Sequence, residues 1–230
     1  MNSSLRKWIL SLYCLTSMTA VSTACGGDDE GRGSNTLRVN ATIEALNRSP
    51  NAASSSGFDT QVEVEVRKGG SAVSDAVVVV ETDLGTIELT EGNSGEYSGS
   101  QSGYAQVFRL SVDAGDDYLR GVRLTGPEIH VFEEPSQSGN QPADTAMVVR
   151  WSPSGADRAQ MSVAEMDLTV ISDTGEYTVL GQHLEASDGD VEEEVIELWR
   201  TNVLTPAGTT TGSEVSVTVR NTLDIFVVGP

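Results

Sequence analysis

Cysteine and histidine are almost missing from this 230-residue chain, which has two of each. Two cysteines cannot build a disulfide-dense scaffold or a four-cysteine zinc site, and two histidines leave little material for metal or acid–base chemistry. Basic residues are also scarce, because 14 Lys and Arg stand against 34 Asp and Glu, a formal net charge of −20. A chain this acidic repels phosphate backbones, so nucleic acid is not expected as a partner.

Amphipathic helical spacing is missing too, since no segment carries apolar residues at i, i+3 and i+4 over three turns. Apolar and polar residues instead alternate with a period of two, which indicates half-buried β-strands. Residues 61–68 read QVEVEVRK, with the valines on one face, and residues 213–219 read SEVSVTV. Residues 76–81 read AVVVVE, a run that suits a central strand buried on both faces. We therefore predict an all-β protein with little helix.

The alternating segments fall into two series. Seven predicted strands lie within residues 36–124, the number expected of an immunoglobulin-like sandwich. Residues 133–143 (EEPSQSGNQPA) contain two prolines and almost no apolar side chain, a composition typical of an interdomain linker. The predicted organisation is two tandem immunoglobulin-like β-sandwiches, residues 37–132 and 144–230.

The second series contains strands of less regular pattern. One predicted strand lies within residues 161–172, and another covers residues 193–203. The last two alternating runs, residues 213–219 and 223–228, are predicted as separate strands.

The N-terminal 24 residues have the order of a secretory signal. Arg6 and Lys7 precede an apolar run (WILSLYCL) that is shorter than the roughly 20 residues a membrane-spanning helix needs. Small residues at positions 22–24 then precede Cys25. This arrangement resembles a bacterial lipobox, where the cysteine thiol receives a diacylglyceryl group and the chain is cut before it. The resemblance implies a lipid anchor at Cys25, because several acyl chains hold a protein stably on a membrane.

Ser22 departs from the lipobox pattern, in which the third position before the cysteine is usually aliphatic. Ser22 and Ala24 also fit ordinary signal-peptidase cleavage, which would leave Cys25 as a free thiol on a secreted protein, so both alternatives stay open. Gly26 follows the cysteine where an inner-membrane retention signal would have aspartate, which favours the outer membrane. Either cut leaves 12 basic against 34 acidic residues, a net charge of −22.

Residues 26–36 (GGDDEGRGSNT) are glycine-rich, acidic and without apolar side chains, which predicts a flexible tether after Cys25. Beyond the cut the chain has a single lysine, Lys68, and eleven arginines, a balance that fits a GC-rich bacterial genome. Together with the ACGGDDE start, this resembles the surface lipoproteins of myxobacteria and their relatives. The resemblance implies an envelope location, immunoglobulin-like or fibronectin-type modules, and no characterised activity.

Two tryptophans in the second series are candidates for ligand contact. Exposed tryptophans on a sandwich face often stack on sugar rings, whereas a core tryptophan fills the space between the sheets. Trp151 alternates in phase with Val149, which favours the core. Trp199 is in phase with Glu197 and is the better candidate for an exposed aromatic. We predict that Trp199 and Arg200 mark a binding surface for an envelope protein or polysaccharide.

Acidic residues cluster in two predicted loops. One covers residues 113–117, and the other contains Asp188, Asp190 and Glu192. Calcium takes roughly six to eight oxygen ligands, often from several carboxylates, so the second loop is a candidate calcium site. The spacing matches no calcium-loop signature, and the acidic composition alone also accounts for such turns. No other metal and no cofactor is expected.

Catalytic motifs are scarce. The sequence contains no G-x-S-x-G elbow, and neither His130 nor His183 lies in a local motif with Ser, Cys or a carboxylate. Residues 173–177 (DTGEY) resemble the D-x-G-x-Y stretch of immunoglobulin domains, which supports the fold and not an activity. We expect a lipid-anchored, non-catalytic structural or interaction module. The alternatives are a glycan hydrolase whose carboxylates pair in space, or a calcium-stabilised adhesin.

Overall fold

The computed structural model describes residues 28–230, so the predicted signal sequence and Cys25 lie outside the described residues. Strands account for 60% of the residues and helix for 3%. The helical residues form two 3₁₀ turns, Ser55–Gly57 and Gly181–His183. In residues 28–230, none of the helical segments has the length and apolar character needed to cross a membrane.

The strands follow one another along the chain with short connections. In chain order they are β1 Arg32–Gly33, β2 Leu37–Asn47, β3 Phe58–Lys68, β4 Ser71–Ala72, β5 Val77–Thr82, β6 Gly85–Glu88, β7 Thr90–Glu91, β8 Glu96–Ser102, β9 Val107–Ala114, β10 Asp117–Thr125, β11 Val131–Glu134, β12 Gly139–Pro142, β13 Met147–Ser152, β14 Arg158–Val163, β15 Met166–Ile171, β16 Glu176–Val179, β17 Val191–Leu204 and β18 Glu214–Val228.

One ten-stranded sheet, the large sheet, runs through the whole protein. Its strand order is β15-β14-β17-β18-β2-β3-β8-β7, with β12 paired to β18 and β4 paired to β3. The two longest strands, β17 and β18, are antiparallel along their whole length. The first half of β18 pairs in parallel with β2, and its second half pairs in parallel with β12. These two strands therefore belong to both halves of the protein.

Two smaller sheets cover the same face of the large sheet. A five-stranded sheet (β1-β10-β9-β5-β6) lies over the first half and a three-stranded sheet (β11-β13-β16) over the second. Because side chains alternate along a strand, the odd-numbered residues of β18 share one face, and that face enters both cores. The first core contains Val215, Val217 and Val219, and the second contains Leu223, Ile225 and Val227. The opposite face of the large sheet is open to solvent.

These sheets confirm the predicted fold class, an all-β protein with two immunoglobulin-like sandwich cores. The predicted boundaries need correction. Residues 133–143, expected as a linker, contribute to β11 and form β12, which pair with β13 and β18. Residues 214–220, expected in the second domain, complete the first sandwich beside β2. The two sandwiches are fused through shared strands, because β17 and β18 are long enough to serve both.

The predicted tether also needs correction over residues 28–36, which are bound to the first sandwich. β1 pairs with β10, and the backbones of Asp29 and Arg123 exchange two hydrogen bonds. Gly33 crosses Gly208 so closely that a Cβ added to Gly33 would lie 2.3 Å from the Gly208 carbonyl oxygen. No larger residue fits this crossing, so a glycine that suggested flexibility in the sequence instead permits close packing.

Candidate ligand-binding face and the junction between the sandwiches

Trp199 lies on the open face of the large sheet, half-buried near the middle of β17. Its cross-strand neighbours are Gln160 on β14 and Arg220 on β18. The guanidinium carbon of Arg220 lies 5.1 Å from the centroid of the Trp199 ring, and Arg220 also forms an ion pair with Glu197. Because this cation–π contact and ion pair restrain the indole, Trp199 forms a fixed aromatic platform on an open surface.

The open surface around Trp199 continues to the free edge of the large sheet. On β15, Leu168 and Val170 are 49% and 76% exposed, and Val170 lies directly opposite Gln160. β15 pairs with β14 on one side only, and an open edge strand is able to accept a further strand. We define the Trp199 face as the six residues Gln160, Leu168, Val170, Glu197, Trp199 and Arg220.

Arg200 does not belong to this face. Its side chain is 2% exposed and lies on the inner side of β17. Successive residues of a strand point to opposite faces, so Trp199 and Arg200 cannot share one surface. The prediction that these two residues form a common ligand-binding surface is therefore wrong, although Trp199 itself is accessible. Trp151 is buried in the second core, as its phase predicts.

Arg200 instead forms a buried ion pair with Asp173, whose side chain is 3% exposed. Its Nε lies 2.8 Å from Asp173 Oδ2, and its Nη1 donates to the carbonyl oxygen of Glu128 at 3.0 Å. Asp173 also accepts hydrogen bonds from Trp151 Nε1 at 2.8 Å and from the backbone N–H of Ala156 at 2.6 Å. The first residue of the DTGEY stretch is thus a structural centre at the junction between the sandwiches.

The environment keeps Asp173 ionised. Burial by itself raises the pKa of Asp173, but hydrogen bonds from Ala156, Trp151 and Arg200 outweigh it and lower the pKa below its ordinary value. Burial, followed by the nearby Arg200 charge, lowers the pKa of His130 to about 3. His130 is therefore a neutral core residue at physiological pH, packed edge-on against Phe132 with ring centroids 5.8 Å apart.

Two asparagines connect the sandwiches at the same junction. Asn221, fully buried in the middle of β18, donates to the carbonyl oxygens of Ala52 at 2.9 Å and His130 at 2.8 Å. Its Oδ1 also accepts a hydrogen bond from the backbone N–H of Ala52 at 3.1 Å. Asn51 exchanges two hydrogen bonds with the backbone of Phe132. The Asn51 bonds join a loop of the first sandwich to β11, and Asn221 joins β18 to the same loop and to the residue before β11. Polar side chains therefore tie the junction as well as shared strands.

The predicted calcium ligands Asp188, Asp190 and Glu192 are all exposed, and they do not form a group that is placed to hold a metal ion. Glu192 lines an open pocket of about 350 Å³ that Asp188 and Asp190 do not reach. The other acidic residues lining that pocket are Asp144, Glu165 and Glu185. In the part of the chain from residue 28 onwards, no group of three or more His, Cys, Asp or Glu side chains is placed to hold a metal ion. The predicted site is therefore not assembled. Asp188 lies in a turn, whereas Glu192 lies at the start of β17.

A larger pocket, of about 400 Å³, lies on the open face of the first sandwich and bears on the hydrolase alternative. Glu63, Glu65 and Glu96 are among its lining residues. Hydrogen bonds from Arg67 and Arg38 lower the pKa of Glu65 below its ordinary value. The general acid of a glycosidase needs a raised pKa, so Glu65 is held in the wrong protonation state for that role.

Neither a protein-family model nor a curated protein matches this chain. Several solved structures are similar in fold. One concerns host cell surface retention of a 1.5-MDa bacterial ice-binding adhesin, at 14% identity and a TM-score of 0.27 over 83% of this chain. DIP-gamma IG1+IG2 has 7% identity and a TM-score of 0.24 over 84% of this chain. The titin domains z1z2 in complex with telethonin have 10% identity and a TM-score of 0.22 over 86% of this chain.

The matched regions cover different shares of those structures. This chain spans 65% of the adhesin structure, and it spans 97% of the DIP-gamma structure and 96% of the titin structure. At these identities and TM-scores the similarity supports no further conclusion about this chain.

Proposed function

We propose that this protein is a non-catalytic lipoprotein of the bacterial envelope, anchored at Cys25, whose Trp199 face binds a polysaccharide. The observation that carries the binding proposal is the position of Trp199, a half-buried indole on the open face of the large sheet with Arg220 over its ring. Aromatic rings of this kind stack on the apolar faces of sugars, while Gln160 and Glu197 supply hydrogen-bonding groups for sugar hydroxyls. The same proposal assigns the envelope location that the lipobox-like sequence implies.

The anchor rests on the sequence around Cys25 and on how close it lies to the folded part. Cys25 precedes Asp28 by three residues, which span about 11 Å at most. From Asp29 onwards the chain is hydrogen-bonded to the first sandwich. With acyl chains on Cys25, the fused sandwiches would form one stiff body held directly at the membrane surface.

Replacing Cys25 with alanine is expected to move most of the protein from the membrane fraction to the soluble fraction. The reason is that no acyl chain can then be attached, and the first sandwich is acidic and open to water. Cell fractionation followed by immunoblotting measures the change. Cys14→Ala is the matched control, since it alters the only other cysteine and should leave the protein on the membrane. Membrane association that is unchanged in Cys25→Ala contradicts the anchor.

Replacing Trp199 with alanine is expected to weaken polysaccharide binding about tenfold, since an aromatic stacking contact contributes on the order of 1 kcal/mol beyond its buried area. Isothermal titration with a neutral glucan, a chitin oligomer and peptidoglycan fragments measures the affinity. Leu180→Ala is the control, because Leu180 is an exposed apolar residue outside the Trp199 face. The glycan proposal fails when none of these probes binds the wild-type protein. It also fails when Trp199→Ala binds a probe as tightly as Leu180→Ala does.

A protein partner is the second candidate for the same face. It is favoured by β15, an edge strand with exposed Leu168 and Val170 beside an unpaired backbone. Such an edge can add a strand from another chain, with main-chain hydrogen bonds supplying affinity. Binding of an envelope protein that survives Trp199→Ala would point to this edge rather than to the indole.

A further inference from the structure

Residues 126–130, which we call the connecting strap, lead from β10 of the first sandwich to β11 of the second and belong to no strand. Three of their carbonyl oxygens are bound by buried side chains from elsewhere in the chain. The pairs are Tyr104 with Pro127 at 2.6 Å, Arg200 with Glu128 at 3.0 Å and Asn221 with His130 at 2.8 Å. The strap is therefore held in the junction by side chains rather than by strand pairing.

His130, the last residue of the connecting strap, is completely buried. Neither nitrogen of its ring has a hydrogen-bond partner within residues 28–230. Even a neutral imidazole carries one N–H donor, so the closed junction already buries an unbonded polar group. A charged ring would bury two such donors and a positive charge, which the packing around His130 does not accommodate.

Two charged side chains act on the His130 ring, Arg200 from β17 and Asp173 from the turn before β16. Tyr104, which binds the strap, stays neutral because burial raises its pKa. Asp173 and the backbone of Leu198 favour a charged imidazole, but burial and the charge of Arg200 outweigh them and lower the pKa of His130 to about 3. A proton on His130 would therefore place a second cation beside Arg200 in a buried site.

We infer that His130 makes the connecting strap sensitive to acid: its neutral ring keeps the strap in the junction, and uptake of a proton releases the strap together with β11. β11 follows the strap directly and is an edge strand of the three-stranded sheet, so it can detach while β13 stays paired with β16. Release would take Phe132 out of the second core. This device depends neither on the anchor at Cys25 nor on glycan binding.

Acid favours the released strap because only the released form binds the proton. His130 has its ordinary pKa of 6.5 when it is exposed and a pKa of about 3 in the closed junction. The stability of the closed form is therefore complete above pH 6.5 and is lost as the pH falls towards 3. Within this range each pH unit raises the ratio of released to closed molecules about tenfold.

Urea unfolding of the mature chain (residues 25–230) at pH 7 and pH 5, followed by tryptophan fluorescence, measures the effect on the whole fold. The equilibrium constant for unfolding in water is expected to rise about 25-fold between these two pH values, the factor given by pKa values of 6.5 and about 3. Asp173 and Glu65, whose pKa values are lowered, gain their protons mainly below pH 5. Glu194, whose pKa is raised, acts in the opposite direction and does so equally in every variant below.

His130→Leu removes the titrating ring and keeps an apolar side chain, so its unfolding constant should change less than about threefold over the same pH range. His130→Gln, a second neutral side chain, should behave in the same way and guards against a packing defect in one variant. His183→Gln is the matched control, because it alters the only other histidine and should keep the wild-type response. A wild-type response in both His130 variants overturns the inference.

Two NMR measurements on the wild-type chain test the release without any substitution. The ring-proton shift of His130 should stay constant from pH 7 to pH 5 in the folded chain, and titration near pH 6.5 would contradict the closed state. At pH 5 the amide of Phe132, bonded to Asn51, should exchange at least about tenfold faster than that of Val64 in the middle of β3, after correction for intrinsic rates. Equal protection would mean that the strap opens only when the whole chain unfolds, which also overturns the inference.

Discussion

Replacing Arg200 with alanine is expected to lower the free energy of unfolding by about 3–5 kcal/mol, the usual cost of removing one partner of a buried ion pair. The change leaves the Asp173 carboxylate buried without its cation and the carbonyl oxygen of Glu128 without its donor. Both groups lie between the two sandwiches, so the loss affects the junction on which the whole fold depends. Urea denaturation followed by tryptophan fluorescence measures it, because Asp173 bonds directly to Trp151.

Arg158→Ala is the matched control for this substitution. Arg158 forms a two-bond ion pair with Glu214, but the two side chains are 56% and 46% exposed. An exposed pair contributes about 0–1 kcal/mol, so the control should stay near the wild type. The double variant Asp173→Asn with Arg200→Met is expected to lose less free energy of unfolding than the sum of the losses in the two single variants. Losses of equal size in Arg200→Ala and Arg158→Ala would contradict a central role for the buried pair.

A chain of residues 25–143 is expected not to fold, although it contains nearly all of the first sandwich. Truncation removes the half of β18 that pairs with β2 over seven residues. It also removes Val215, Val217 and Val219 from the first core. Burying each of these side chains contributes about 1.5–3 kcal/mol, so the three together approach the roughly 5–15 kcal/mol by which a domain is stable.

Both tryptophans of the mature protein lie in the missing half, so tryptophan fluorescence cannot report on the truncated chain. Circular dichroism followed during thermal melting tests it instead. The complete mature chain is expected to melt in one cooperative transition, and the truncated chain is expected to show none. Adding residues 144–230 as a separate chain is the control, since it resupplies β17 and β18 and should restore some strand structure. A sharp melt of residues 25–143 alone would support two independent tandem domains.

The positions of most strands could be predicted from the sequence within a few residues. The predicted strands at 61–68 and 193–203 correspond to β3 Phe58–Lys68 and β17 Val191–Leu204. The prediction succeeds because each strand has one face in a core and one face in water. The sequence of such a strand alternates between apolar and polar residues. The same alternation placed Trp151 in the core and Trp199 on the outside.

Two features of the second half escaped this reasoning for identifiable reasons. Residues 161–172 form part of a hairpin rather than one strand, and its turn contains Ala164 with φ of 45°, a conformation that the sequence does not signal. Asn221 interrupts the alternation and suggests a break, yet it lies inside a continuous strand. Its amide is satisfied by the backbone of Ala52 and His130, which are distant in sequence.

The sequence by itself determined the strand content, the number of cores and the side of the sheet on which Trp199 lies, because these follow from the local order of apolar and polar residues. Only the tertiary structure decided which strands are neighbours, that β18 serves both sandwiches, and that Arg200 is buried against Asp173. Alternation specifies which face of a strand is apolar, but not which strand lies beside it. The partners of Arg200 and Gly33 come from remote parts of the chain, so their roles depend on packing that no local pattern encodes.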